Sequence, residues 1–170
     1  MNKYLWAKKS QKSSGYYWLP LYQHLEDTRN IICLLWNHWL SENQRNIVEE
    51  SIISENYNNI GFNIASFIGA VHDIGKATFV FQAKRLGYTD DLDIQLTEKL
   101  ERSGFKDIYS SYNNLSSPEK SHHSIAGQYL LSKYGVKEDI SSIIGGHHGK
   151  PVDYPKIYKN QSAYEGNLYQ

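Results

Sequence analysis

Apolar residues in the first half of the chain recur at spacings of three and four, which is the pattern of amphipathic helices. The clearest helix runs from Leu21 to Leu40, with a stripe formed by Leu21, Leu25, Thr28, Ile32, Leu35, Trp36 and Trp39. Pro20 suits its first turn because the φ of proline is fixed. Residues 45–54 form a weaker helical stretch. Residues 62–71 are almost entirely apolar, which predicts a central helix buried on every side.

The second half predicts more helices around a polar middle. A helix resumes around residues 79–84, and others cover residues 124–134 and 136–144, with Gly135 suited to end the first of these two. Residues 87–121 are the most polar part and are predicted to be a surface excursion or lid, with a short helix around residues 92–100.

The two ends of the chain carry weaker patterns. Residues 1–19 are interpreted as irregular, and residues 151–170 have no clear period. Strand alternation and internal repeats are not found. At 170 residues the chain suits one domain with a proper core. We therefore predict a single all-α domain over residues 1–170.

The charge balance narrows the ways in which the protein could contact nucleic acid. Eighteen Lys and Arg residues balance eighteen Asp and Glu residues, so the formal net charge is zero. Proteins that bind nucleic acid through a broad basic surface usually carry an excess of positive charge. If this chain acts on nucleic acid, a local site or another domain must hold the substrate.

The sequence also predicts a soluble, cytoplasmic protein with no membrane contact. No stretch approaches the roughly 20 apolar residues of a membrane span, and residues 1–10 lack the apolar segment of a signal peptide. The single cysteine, Cys33, excludes an internal disulfide. It lies in an apolar run, so we predict that it is a buried core residue.

Histidine and aspartate are concentrated in a few short segments. His72-Asp73 follows the apolar run 62–71, and His122-His123 and His147-His148 come later. Imidazole and carboxylate together suit transition metals such as Mn, Fe, Co, Ni and Zn. A carboxylate has two oxygens and can bridge two ions, and two ions can clamp a phosphate, activate water and stabilise the leaving oxygen. The pattern predicts a divalent-metal site centred on His72-Asp73.

Each of these residues taken alone also has a purely structural interpretation. His24, beside the apolar stripe of the first helix, would by itself more often be a hydrogen-bonded core histidine than a ligand. His147-His148, next to glycines, could form a solvated turn, and Lys76 could be an ordinary surface lysine. His38 is expected not to be a ligand. The clustering, rather than any one member, favours the metal site.

Four motifs along the chain carry a family resemblance. The first comprises the stretches 5–10 and 20–27, which include His24, and the second is His72-Asp73-Ile74-Gly75-Lys76 followed by Phe81-Gln82. The third is His123-Ser124-Ile125-Ala126-Gly127, and the fourth is Gly146-His147-His148-Gly149. In this order, over about Leu5 to Pro151, they resemble the HD nuclease domain of the CRISPR-associated helicase–nuclease of type I systems. The resemblance implies an HD-domain helical bundle with a metal site between helices.

The resemblance also implies a role for each matching residue. The implied metal ligands are His24, His72, Asp73, His123, His147 and His148. Asp73 would bridge two divalent ions, drawn from Mn, Fe, Co, Ni or Mg. Lys76 would lie beside the phosphate and stabilise developing charge or help protonate the leaving group. The substrate strand would lie in a cleft near Gly146 and Gly149.

Only one of the next two positions departs from the family pattern, namely the final Asp ligand. His122 matches a position where the family is not fixed, so we expect a neighbour of the site rather than a ligand. The family normally carries a final Asp ligand some tens of residues beyond the paired histidines, whereas this sequence ends at Gln170. Asp153, in a Pro-flanked loop, is a poor substitute. Either the sequence is an N-terminal fragment of a longer helicase–nuclease, which we expect, or the first metal position lacks one ligand, with water or low metal occupancy there.

The function implied by the resemblance is a metal-dependent nuclease domain that degrades single-stranded DNA after a crRNA-guided surveillance complex has opened the target. A helicase module, on the same or a companion chain, would feed the strand. Two alternatives stay open. One is an HD-type phosphohydrolase acting on nucleotides or signalling nucleotides, against which Phe81-Gln82 and His147-His148 argue. The other is a non-enzymatic helical domain whose metal site is structural or which binds a partner.

Overall fold

The computed structural model describes residues 1–52, 59–84, 90–149 and 153–168, and over these residues the chain is mostly helical. The helices are α1 (Leu21–His38), α2 (Glu42–Ser51), α3 (Ile60–Val71), α4 (Phe79–Gln82), α5 (Asp90–Arg102), α6 (Ile108–Ser111), α7 (His123–Lys133), α8 (Glu138–Gly146) and α9 (Tyr154–Ala163). Short 3-10 turns lie at Ile74–Ala77, Tyr112–Asn114, Pro118–Lys120 and Glu165–Asn167. The prediction of a helical protein is confirmed over most of this length.

The N-terminal segment is not irregular, as predicted, but forms a β-hairpin. Strand β1 (Trp6–Lys12) pairs antiparallel with β2 (Gly15–Pro20), and Gly15 at the turn has a φ of 132° that L side chains rarely adopt. The prediction of an all-α fold is therefore wrong here. The inner-face position in the middle of β1 is occupied by Lys9, whose charge is paired with Asp93, so the strand shows no alternation of apolar and polar residues that a sequence pattern could detect.

Helix α1 begins after Pro20, as predicted, but its apolar stripe is only partly buried. Leu21 and Leu25 are in the core, whereas Leu35 is 43% and Trp39 is 74% exposed. Cys33 is half-buried, with its Sγ 3.6 Å from the Ser66 hydroxyl, which corrects the prediction of a fully buried thiol. The C-terminal half of the helix therefore carries apolar side chains that the described residues do not cover.

Helix α3 packs against α1 but is not buried on every side. A Cβ on Gly69 would lie only 2.7 Å from Ile32 Cδ1, so the two helices approach closely at this glycine. Phe67 is 38% exposed, and Ile64 lines an apolar groove between α2, α3 and α8. The prediction of a fully buried helix is wrong, because an all-apolar helix at a groove keeps one face open.

The polar middle of the chain contributes to the core. Helix α5 confirms the short helix predicted around residues 92–100, and Leu92, Leu96 and Leu100 are all buried along one face of it. The prediction of a surface excursion or lid is wrong for the buried leucines of α5 and for Ile108, which is 1% exposed, whereas residues 103–104 and 106–107 between them are exposed. Residues 87–89, which were included in that prediction, lie outside the described residues.

The C-terminal helices arrange the rest of the core. Helices α7 and α8 confirm the predictions for residues 124–134 and 136–144, and Gly135 ends α7 with a φ of 90°. Helix α9 has no counterpart in the prediction, because only Ile157 on its buried face is apolar and the next turn buries the amide of Gln161 instead.

Among the helices of the described ranges, none combines the length and hydropathy that a membrane span requires.

Candidate metal centre

The centre is assembled where α3 ends against the start of α7. Helix α3 ends at Val71, so that His72 caps it and Asp73 leads into the 3-10 turn Ile74–Ala77. A Cβ on Gly75 would lie 1.8 Å from the carbonyl oxygen of His123 and 2.6 Å from the nitrogen of Gly127. Gly75 is therefore required for the turn after Asp73 to contact the first turn of α7, and this contact places His123 beside Asp73.

The carboxylate of Asp73 faces two groups of histidines, one with each oxygen. Its Oδ2 is 2.7 Å from His24 Nε2 and 3.3 Å from His72 Nε2. Its Oδ1 is 3.3 Å from His123 Nε2 and 3.3 Å from His147 Nε2. Asp73 therefore lies between two sets of donors.

All six ligands predicted from the sequence fall into these two sets. Within each, one ligand atom per residue lies within 4.8 Å of every other: His24, His72 and Asp73 in the first, and Asp73, His123, His147 and His148 in the second. They come from α1, from the turn after α3, from α7 and from the turn after α8.

Two of the histidines are oriented by the same local device. His72 and His147 each follow the last residue of a helix, and each Nδ1 lies within hydrogen-bond distance of the carbonyl three residues earlier. The distances are 3.0 Å to Gly69 and 2.6 Å to Ile144. An Nδ1–H that donates to a carbonyl fixes the tautomer and leaves Nε2 as the free donor atom. When these imidazoles are neutral, both Nε2 atoms therefore carry a lone pair that can bind a cation.

Two features of the site fit a bound cation. Asp73 Oδ1 is buried without a hydrogen bond from any described residue, because the nearby imidazoles are not aligned for one. A buried acceptor of this kind costs about 1–3 kcal/mol unless something compensates it. His123 Nε2 and His148 Nε2 lie 2.8 Å apart and compete for one proton, whereas a metal ion would accept a lone pair from each. Imidazole with carboxylate suits borderline transition metals, so the residues fit such an ion.

The electrostatics hold Asp73 and His24 in the forms that bind metal. Burial alone favours the neutral acid of Asp73, but polar contacts from His123, His147, His72 and Lys76 outweigh it and hold the pKa of Asp73 well below its usual range. Burial lowers the pKa of His24 below its ordinary value. Metal ligands must be deprotonated carboxylate and neutral imidazole, so both shifts favour metal binding.

The pKa values of His147 and His148 are shifted in opposite directions. The contact with Asp73 raises the pKa of His147, and burial lowers that of His148. A cation bound to His147 would therefore displace a proton more often than one bound to His148.

Lys76 is not a surface lysine. The residue is 8% exposed, and its Nζ donates to Asp73 Oδ2 at 2.7 Å. Its backbone is held by Gln82, whose Nε2 donates to the carbonyl oxygen of Lys76 at 2.7 Å and to that of Trp6 at 2.9 Å, while Oε1 accepts from the Trp6 nitrogen at 3.1 Å. Gln82 thus joins the β-hairpin to the turn that carries Lys76. The sequence identifies Phe81-Gln82 only as part of a family motif and does not predict that Gln82 makes these hydrogen bonds.

The remaining predicted residues lie around the centre. His122 is the N-cap of α7, where its side chain accepts from the Ser124 nitrogen, and its ring centroid is 4.2 Å from that of His123. It is thus a neighbour of the site. Gly146 ends α8, and its carbonyl accepts from Gly149 N–H at 2.8 Å, which closes an exposed turn. His38 is exposed at the end of α1.

Asp153 does not join either group of donors. It is exposed and precedes α9 as its N-cap residue, without a side-chain capping bond. Among the described residues, the group around His24 and His72 therefore offers three protein ligands, and the group around His123 offers four.

Comparison with known proteins places this geometry in a family. The family model described as "Cas3, HD domain" matches residues 6–167. The CRISPR-associated nuclease/helicase Cas3 of Streptococcus thermophilus is 59% identical over 173 residues, an alignment that covers 100% of this chain and 18% of that relative. The chain therefore spans less than a fifth of the relative's length. No solved structure matches the chain. On the family match over nearly its whole length, this chain belongs to the Cas3 HD domain family.

Proposed function

We propose that this chain is a metal-dependent nuclease domain that hydrolyses phosphodiester bonds of single-stranded DNA. The observation that carries the proposal is the position of Asp73, whose two carboxylate oxygens face separate groups of histidines. An arrangement of this kind suits two cations that share one carboxylate. Two-cation sites are typical of enzymes that transfer or hydrolyse phosphate esters.

The proposed ligands divide between two ions. His24, His72 and Asp73 would hold the first, and Asp73 with His123, His147 and His148 would hold the second. Such a pair supplies a clamp for the phosphate, an activated water and neutralisation of the charge on the leaving oxygen. The imidazole donors favour Mn, Fe, Co or Ni over Mg, which prefers oxygen ligands. The first ion, with fewer protein ligands, is expected to bind more weakly.

Lys76 is proposed to stabilise the negative charge of the reacting phosphate or to protonate the departing oxygen. Its ammonium lies 2.7 Å from Asp73 Oδ2 in a buried position, so it is already aimed at the carboxylate that a substrate phosphate would approach. Gly146 and Gly149 lie in the adjacent turn, where the absence of side chains leaves the backbone accessible to a strand.

The partners of the domain are proposals of the same kind. The similar protein from Streptococcus thermophilus carries both nuclease and helicase in its name, and this chain covers 18% of it. We propose a helicase module on the same chain that feeds single-stranded DNA to the metal centre, after a crRNA-guided surveillance complex has opened the target. The zero net charge agrees with a domain that receives its strand from a neighbour.

The substitution Asp73→Ala tests the proposal, with Asp153→Ala as the matched control. Asp73→Ala removes the carboxylate that, among the described residues, both donor groups share. Cleavage of circular single-stranded DNA in Mn²⁺ is therefore expected to disappear, with helicity retained by circular dichroism. Asp153→Ala removes an exposed carboxylate and is expected to retain full activity. Undiminished cleavage by Asp73→Ala would refute the assignment.

Two other outcomes would point to the alternatives. Release of phosphate from mononucleotides, with no cleavage of a polymer, would identify a nucleotide phosphohydrolase. A tightly bound metal with no turnover of any phosphodiester would identify a structural site. Metal analysis on the same samples separates the second outcome from a simple loss of metal during purification.

A further inference from the structure

The N-terminal hairpin carries positive charge that the rest of the chain balances. Every Lys, Arg, Asp or Glu among the first 25 residues is a lysine, namely Lys3, Lys8, Lys9 and Lys12. Because the whole chain has a formal charge of zero, acidic residues are in excess elsewhere. The hairpin is therefore a local basic surface on a neutral protein.

The two faces of the hairpin differ in what they contact. On the inner face, Lys9 forms a buried ion pair with Asp93 of α5 at 2.5 Å, and its cross-strand partner Trp18 packs against the core around Trp6. The ammonium of Lys9 also lies 4.0 Å from the Trp6 ring centroid. The inner face thus anchors the hairpin to the domain, and the charge of Lys9 is neutralised there by Asp93.

The outer face, defined by Lys8, Ser10, Lys12 and Tyr17, is open. Lys8, Ser10 and Lys12 alternate along β1, and Tyr17 is the cross-strand partner of Ser10. Lys8 and Lys12 are exposed, and neither has a carboxylate partner in the part of the chain that the structure describes. Tyr17 is 47% exposed, and its ring centroid lies 5.7 Å from Lys12 Nζ. Two unneutralised ammonium groups therefore flank an exposed aromatic ring.

The base of the hairpin lies beside the metal centre. The Trp6 ring, at the start of β1, lies 4.5 Å from the Phe81 ring, and the Phe81 ring lies 5.6 Å from that of His123. Gln82 joins Trp6 to the backbone of Lys76. The hairpin is therefore attached at its base to residues that support the proposed ligands.

We infer that the outer face of the hairpin, whose base is attached beside the metal centre, binds single-stranded DNA; this docking surface rests on the proposed nuclease function. Lysines with an interleaved aromatic ring are the combination by which proteins hold single strands without sequence preference. Lys8 and Lys12 contact phosphates, and Tyr17 stacks on a base. The Tyr17 hydroxyl is engaged with Ser14 Oγ at 2.9 Å, so the ring rather than the hydroxyl is available to the strand.

The test measures DNA binding apart from cleavage. The 170-residue chain is titrated in EDTA with fluorescently labelled oligo-dT, and anisotropy gives the affinity at several salt concentrations. Lys8→Gln with Lys12→Gln is expected to weaken binding and to reduce the slope of log K against log salt by about 1.4, since each phosphate contact on a single strand contributes about 0.7. The control pair Lys156→Gln with Lys159→Gln, exposed on α9, is expected to leave the affinity and the slope unchanged.

Tyr17 provides the test for base stacking. Tyr17→Ala is expected to weaken binding of oligo-dT about tenfold, and Tyr17→Phe to retain it, because the ring and not the hydroxyl stacks. On an abasic strand of the same length, Tyr17→Ala is expected to bind as the wild type does. An equal loss on the abasic strand would overturn the stacking role.

The outcomes separate this inference from the nuclease function. Hairpin variants that bind oligo-dT as tightly as the wild type, a control pair that loses as much, or a wild type that binds no DNA would each overturn the inference. A wild type that binds through the hairpin but never cleaves DNA would refute the nuclease proposal and leave the docking surface standing. In Mn²⁺, hydrolysis of bis(p-nitrophenyl) phosphate by the hairpin variants is expected to match the wild type, since this substrate has no strand to dock.

Discussion

The contact between Gly75 and α7 is the packing feature on which the metal centre depends most directly, and Gly75→Ala tests it. In the native structure a Cβ at this position would lie 1.8 Å from the carbonyl oxygen of His123, 2.8 Å from its carbonyl carbon and 2.6 Å from the nitrogen of Gly127. All three are backbone atoms, so no side-chain rotation can relieve the overlap. The turn that follows Asp73 and the first turn of α7 must move apart.

The size of the effect follows from these distances. Lengthening the shortest contact from 1.8 Å to about 3.0 Å needs a backbone displacement of about 1.2 Å. We expect the resulting loss of stability to lie at the upper end of the range for overpacked cores, about 3 kcal/mol. For a domain of this size, that loss corresponds to a fall in Tm of about 6–12 °C. The same displacement separates His123 from Asp73, which are 3.3 Å apart, so we expect a loss in metal affinity of about 10–100-fold.

The assay is thermal unfolding by circular dichroism in EDTA, followed by a Mn²⁺ titration at a temperature where the variant is folded. Gly127→Ala is an intermediate case, because its Cβ would meet the Gly75 nitrogen and Ile144 Cγ2 at 3.3 Å. Gly166→Ala is the control, since its Cβ would meet no atom within 4 Å. A Gly75→Ala protein with the Tm and Mn²⁺ affinity of the wild type would refute the argument that this contact positions the site.

Three further predictions concern the ions, the hairpin anchor and the cap of α7. Mn²⁺ at about 100 times its Kd should stabilise the metal-free protein by about 2.7 kcal/mol, or about 5–11 °C in Tm, and the absence of a shift would contradict a metal site. Gln82→Leu leaves three buried backbone groups of Trp6 and Lys76 unpaired, so urea unfolding should show a loss of about 3 kcal/mol or more, with Gln82→Glu between it and the wild type. Burial and the neighbouring histidines lower the pKa of His122 to about 4, below its ordinary value of 6.5. The unfolded chain therefore binds the proton first, and this contribution to stability, about 1 kcal/mol after solvent screening, is lost as the pH falls from 6.5 to about 4. His122→Asn keeps an acceptor for the Ser124 nitrogen and should flatten that fall in EDTA; an unchanged pH profile would contradict the assignment.

The sequence predicts the helices that carry the site better than it predicts their burial. The periodic apolar residues of α1 and α7 are enough to locate both helices, because the spacing of three and four is a local property of the chain. Burial is not local. Leu35 and Trp39 continue the stripe of α1 yet are exposed, whereas Trp36 in the same stripe is 8% exposed and its ring contacts that of Phe62 in α3 edge-on. Helix α9 illustrates the converse, because its buried face includes the polar Gln161.

The sequence by itself determines which residues can do the chemistry. Histidines and an aspartate in motifs that resemble one family are sufficient to name the six candidate ligands and Lys76, because donor type depends on the side chain alone. The tertiary structure alone decides how they combine. Each oxygen of Asp73 faces a different group of histidines, and Gly75 allows the start of α7 to pack against the turn that follows Asp73. Gln82 joins the hairpin to the turn that carries Lys76. These relations link residues up to 76 positions apart in the sequence. The physical reason is that distances across a fold are set by packing between elements, which no local pattern encodes.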